Sequence, residues 1–163
     1  MDEDIIERAE AYAASRGRSL AGRLGFGIHG MVFLLEGNVD CGAAAVKIHE
    51  NREPYRRERD IYERLAERGL VEVGGFAVPQ MIGRDDELLA IEMTMVQPTF
   101  VLDFAGAYLD WPPDFPEEVW AERLAKWSDE FGADWSKARS ILDDLEDMGI
   151  FMLDPSPSNI CFR

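Results

Sequence analysis

The chain has 163 residues, enough for one compact domain or a small lobe plus part of a second, and its 47% apolar content excludes a disordered segment. With 32 acidic against 17 basic residues it carries a formal charge of −15, which repels phosphodiester backbones and anionic lipid and argues against nucleic acid and membrane partners. No apolar run approaches the roughly 20 residues of a bilayer span, and the acidic start MDEDIIERAEAY lacks the basic opening and apolar stretch of a signal peptide, so a cytoplasmic location is expected.

The first element is an amphipathic helix over residues 2 to 16, with Ile5, Ile6, Ala9, Tyr12 and Ala13 on one face and Gly17 as its stop. Three apolar runs follow, Leu20–Gly27, Met31–Glu36 and Ala43–His49, separated by glycine-rich turns; they read as an antiparallel meander. Helical spacing returns from Glu53 to Arg68, with Gly69 as the C-terminal stop. Val78–Gly83 and Leu88–Met95 then flank Arg84-Asp85-Asp86-Glu87, a second hairpin with an exposed turn. Beyond Val96 comes a proline-punctuated connector rich in aromatics, from Phe100 to Phe115. Two helices follow: one opens at Pro116-Glu117-Glu118, with proline in the first turn, and the other is capped by Asp134 or Ser136 and ends at Gly149. The tail Ile150–Arg163 is short strands around a Pro-Ser-Pro-Ser loop.

Cys41 and Cys161 are too far apart for a compact sulfur framework and read as reduced thiols. The histidines, His29 and His49, form no metal-ligand pair at helical spacing, and neither zinc chemistry nor a Ser-His-Asp triad finds support.

Chemistry concentrates in five places. Gly25, Gly27 and Gly30 form a G-x-G-x-x-G with Val32 just beyond. Glycines let a backbone turn approach a polyphosphate because no Cβ intervenes. In a dinucleotide site such a motif opens a helix; here a strand follows, which suits a hairpin lid over phosphates, with a plain glycine-rich turn as the alternative. Lys47 lies in the third strand, in a chain with fourteen arginines but three lysines, where its compact charge could meet the α- and β-phosphates. Glu58, on the next helix, could face Lys47, with Glu63 as the rival in register.

These three features, in this order and on these elements, resemble the small lobe of protein kinases and of kinase-like small-molecule phosphotransferases. By that resemblance Leu88–Met93 is the fifth strand, and backbone groups from Glu92 to Thr94 would hold the adenine. The segment Gly149–Phe162 resembles the kinase catalytic loop: Asp154 would orient the attacking hydroxyl or accept its proton, and Asn159, five positions on, would bind magnesium.

The resemblance implies an α+β fold with a kinase-like small lobe, a five-stranded antiparallel sheet plus helix C, and a truncated, mainly helical large lobe. The expected division is an N-terminal helix over 1–19, the small lobe over 20–96, and hinge, connector and clipped large lobe over 97–163. Met152 replaces the family's bracing histidine and Ser156 a phosphate-steadying lysine, and no Asp-Phe-Gly element stands between Asn159 and Arg163. The expectation is therefore a protein that binds ATP and Mg2+ with little or no phosphotransfer. The alternatives are an active minimal phosphotransferase, with a carboxylate from Asp143, Asp144, Asp147 or another chain, and a nucleotide-free scaffold. A protein partner, or self-association through the shortened lobe, is also expected.

Overall fold

The computed structural model describes residues 2–27, 29–37, 43–95, 104, 106–157, 160 and 162. In chain order these form α1 (Asp2–Ser15), β1 (Ser19–Gly27), β2 (Gly30–Glu36), β3 (Ala44–His49), α2 (Arg52–Glu67), β4 (Glu72–Val73), β5 (Phe76–Ala77), β6 (Met81–Asp85) and β7 (Ala90–Thr94). Then come β8 (Ala107–Leu109), α3 (Glu117–Phe131), a 3-10 turn at Gly132–Asp134, α4 (Trp135–Glu146) and β9 (Ile150–Met152). The fold is α+β, with a five-stranded antiparallel sheet in the order β1-β2-β3-β7-β6.

Side-chain alternation along the strands divides the core in two. On one face, Met31, Phe33, Leu35, Val46, Ile48 and Ala90 pack beneath the apolar stripe of α1, made of Ile5, Ala9, Tyr12 and Ala13. On the other, Ala45, Ile91 and Met93 meet Tyr55, Ile61, Tyr62 and Leu65 of α2, and that core runs on through Phe104 and Ile150 to the buried face of α4. Helix α2 is thus the middle layer between the sheet and the C-terminal part. Among the described residues no helix is long and apolar enough to cross a membrane.

Several elements differ from the sequence reading, among them the short β4–β5 hairpin, which it did not expect, and β6, which it placed at Val78–Gly83. The second hairpin turns at residues 86–89 rather than 84–87, because Asp85 Oδ1 accepts the N–H groups of Glu87 and Leu88 at 2.9 Å each and so caps the turn two residues later. Pro116 precedes α3 as its cap residue, with extended ψ of 151°, instead of occupying the first turn. The connector is not structureless after residue 106: β8 pairs antiparallel with β9, matching Ala107 to Met152 and Leu109 to Ile150.

Candidate functional site

The β1–β2 hairpin closes with Gly27 opposite Gly30; Ile28 lies outside the described residues. Its glycines answer to different constraints. Gly30 has φ of +147°, and a Cβ there would run into the Ile48 carbonyl oxygen and stand 2.9 Å from His49 Cα, so the β2–β3 crossing itself demands glycine. Gly25 and Gly27 keep φ values open to any residue, and nothing lies within 4 Å of where their Cβ atoms would be. Packing does not require glycine at either position. Phe26 between them is 75% exposed, with the Arg23 guanidinium 5.5 Å from its ring.

Behind the hairpin, Val32 pairs with Lys47 across β2 and β3, so both side chains share the face toward α2. Lys47 is 6% exposed and Glu58 1%. Lys47 Nζ stands 2.8 Å from Glu58 Oε2. Glu63, the rival in register, pairs instead with Arg84 of β6. The same Glu58 oxygen is 2.6 Å from His49 Nε2, a partner that spacing alone did not single out. A buried carboxylate with two cationic or hydrogen-bonding donors is satisfied where a lone one would be strongly disfavoured.

Helix α2 is tied down at both ends as well. Near its start, Tyr55 Oη and Arg59 Nη1 donate to Asp86 Oδ1 at 2.7 and 2.9 Å. These donors, Tyr55 first, hold the Asp86 carboxyl below the usual carboxylate range. Burial, then the bond to Asp86, pushes the Tyr55 phenol up. Near its end, Arg64 forks onto Asp110 at 2.9 and 2.8 Å and donates to the Met148 carbonyl at 3.0 Å, lowering the Asp110 carboxyl.

Glu92 sits elsewhere. It pairs in the ladder with Val46 on one side and Gly83 on the other, and its side chain is buried on the α1 face. There it accepts from Tyr12 Oη at 3.0 Å and Arg16 Nε at 3.1 Å, with Arg18 Nη2 at 3.6 Å. Glu92 therefore anchors α1 and presents no carboxylate to the Lys47 face; inner-strand alternation sends residues 91 and 93 that way instead. Thr94 donates its N–H to Gln80 O and accepts from Gln80 N at Oγ1, both at 2.9 Å.

Strand β9 leads into the Asp154 loop. Asp154 is exposed on the rim of a cavity of about 320 Å³ shared with Val119, Glu122, Arg123, Lys126 and Trp127. Arg123 is fixed there, donating to the Leu153 carbonyl at 2.9 Å and standing 4.9 Å over the Phe115 ring. The Ile160 N–H closes back onto Ser156 O at 2.9 Å; Asn159, inside this loop, lies outside the described residues. Met152 is buried core rather than a polar brace. Asp143, Asp144 and Asp147 are exposed, opposite the buried face of α4, and Asp143 pairs with Arg139 at 2.7 Å.

Scans against protein-family profiles, curated proteins and solved structures found no match.

From the sequence Phe104 has no part in the site and is one of the connector's aromatics. It is fully buried, edge-on to Tyr62 of α2 at 5.6 Å between ring centroids. Two residues on, a Cβ at Gly106 would lie 3.9 Å from His29 Nε2, which brings this segment to the tip of the glycine hairpin. A signal exists in the chain: Asp103-Phe104-Ala105-Gly106 stands upstream of the Asp154 loop, whereas in protein kinases the Asp-Phe-Gly element lies downstream of the catalytic loop. Asp103 and Ala105 lie outside the described residues.

Proposed function

We propose that this chain is a nucleotide-binding protein of the protein kinase-like kind, in which Lys47 receives the polyphosphate of ATP beneath the Gly25–Gly30 hairpin. The observation that carries the reading is the buried Lys47–Glu58 pair at 2.8 Å behind a hairpin with two glycines that packing does not need. A lysine on the third strand, braced by a carboxylate from the following helix, is the arrangement kinases use to hold the α- and β-phosphates. The strand order, and the way α2 follows β3 in the chain and packs on the face of β3 and β7, support the same reading. The adenine edge would be met beyond Thr94, since Glu92 and Thr94 are engaged in the sheet and with Gln80. The test is calorimetric titration with ATP and ADP, with and without Mg2+. Saturable binding that weakens at least tenfold in Lys47→Met is expected; no heat under any condition refutes the reading.

A second reading, retained phosphotransfer to a hydroxyl, is favoured by one specific observation. Phe104 is buried under α2, and the strand after it pairs with the strand that leads to Asp154. In kinases an Asp-Phe-Gly element supplies a magnesium carboxylate and seats its phenylalanine in the core. Asp103-Phe104-Ala105-Gly106 would play that part from a position ahead of the loop in the chain. Asp103 and Asn159 would then hold Mg2+, which supplies charge neutralisation at the phosphates, while Asp154 takes the proton of the attacking hydroxyl. Radiolabelled ATP, offered to the protein alone and with small hydroxyl compounds, decides it. Transfer abolished by Asp154→Ala and by Asp103→Asn is expected, and transfer that survives either change removes this chemistry.

A further inference from the structure

His49 is fully buried between β3 and α2, two residues beyond Lys47 and therefore on the same face of the strand. Its Nδ1 is 3.3 Å from the Leu89 carbonyl oxygen, and its ring meets Tyr55 edge-on at 5.6 Å. Its Nε2 donates to Glu58 Oε2 at 2.6 Å, the oxygen that Lys47 also reaches at 2.8 Å. Glu58 thus has two tethers from one strand.

The second tether resolves a conflict. A lysine that is the only donor to a buried carboxylate strands that carboxylate when it turns toward a phosphate, and an unsatisfied buried charge is strongly disfavoured. With His49 on the same oxygen, Glu58 keeps a donor and stays in place while Lys47 moves. We infer that His49 is a positioning residue of the nucleotide site: it holds Glu58, and through it Lys47, whether or not the lysine is engaged by phosphate. For its ligand the inference rests on the nucleotide reading above, but the holding of Glu58 is a property of the unliganded protein.

Two measurements test it. In nucleotide-free, 15N-labelled protein the His49 Nε2–H resonance is protected from exchange; it persists in Lys47→Met and is lost or displaced in Glu58→Ala. Loss of the resonance in Lys47→Met overturns the inference. In magnesium–ATP titrations, His49→Phe keeps a ring against Tyr55 but has no donor, and binds about tenfold more weakly. His49→Gln, whose amide can donate to Glu58, recovers most of that loss. In a Lys47→Met background, His49→Phe changes affinity by less than about twofold, because the lysine through which it acts is gone. Wild-type affinity in a folded His49→Phe protein, or the same loss in both backgrounds, overturns the positioning role. If the wild-type protein binds no nucleotide, the nucleotide reading falls, and the resonance still decides whether His49 holds Glu58 without Lys47.

Discussion

Replacing Gly25, Gly27 and Gly30 by alanine, one at a time, separates a lid from a packing constraint. At position 30 the new methyl collides with backbone, the Ile48 carbonyl, and the residue must hold φ of +147°. Strained φ and overpacking of this kind each cost about 1–3 kcal/mol, so Gly30→Ala should lower the unfolding free energy by roughly 2–6 kcal/mol. At positions 25 and 27 the methyl enters open space on an unstrained backbone. Those variants should keep wild-type stability or gain up to about 1 kcal/mol from the less flexible unfolded chain. Their methyls stand where a polyphosphate would approach, and a tenfold loss of ATP affinity corresponds to about 1.4 kcal/mol. Urea denaturation reads the first quantity and calorimetry the second. Unchanged ATP affinity in both Gly25→Ala and Gly27→Ala would refute the idea that the hairpin covers phosphates, and an undisturbed Gly30→Ala would refute the packing argument.

Other expectations follow from the paired and desolvated charges. Glu58→Ala removes the buried carboxylate that Lys47 and His49 share and should cost about 3–5 kcal/mol, whereas Lys47→Met leaves Glu58 on His49 and should cost about 1–2 kcal/mol; chemical denaturation that ranks them the other way contradicts the shared-oxygen geometry. Glu92→Gln strips the carboxylate from the buried Arg18, and a midpoint shift worth about 3 kcal/mol is expected in urea. Asp86 and Asp110 have carboxyls lowered in the folded state by their Tyr55 and Arg64 partners. Their contribution is therefore complete above the unfolded carboxylate range near pH 4 and disappears as pH falls through the lower folded values. Acid unfolding of Asp86→Asn or Asp110→Asn should be less steep than wild type in that window. Glu146 runs the opposite way: burial raises its carboxyl, so its contribution is present at low pH and is lost as pH rises through the folded value. Thermal melts of Glu146→Gln at pH 7 should show a gain over wild type.

The sheet and its covering helices are legible in the sequence because their signals are local: period-two alternation in β2 and β3, and helical stripes in α1 and α2. The choice between Glu58 and Glu63 is not. It depends on how α2 is rotated against the sheet, which is fixed by Arg84 taking Glu63 and by the two donors on Glu58. Nor does a strand pattern say which side of β7 Glu92 occupies, since three residues at the far end of the chain, Tyr12, Arg16 and Arg18, supply its partners. Phe104 escapes for a different reason. It lies outside any strand, and β8 just beyond it has only three residues, so only the pairing of β8 with β9 sets the segment apart from an aromatic loop.

The way α1 is fastened bears on how this protein can be taken apart. The division expected from the sequence puts a boundary at residue 19, with the N-terminal helix as a unit apart from the lobe. The helix instead supplies the lid of a second hydrophobic core and the counter-ion environment of a carboxylate that would otherwise lie on bare sheet. A shortened chain beginning at residue 20 would present Met31, Phe33, Leu35, Val46 and Ile48 to water around an orphaned Glu92, a surface that invites aggregation. Residues 2–15 belong inside the smallest unit that can be expressed, and a tag or fusion at this end must leave Tyr12, Arg16 and Arg18 free to close over the strand.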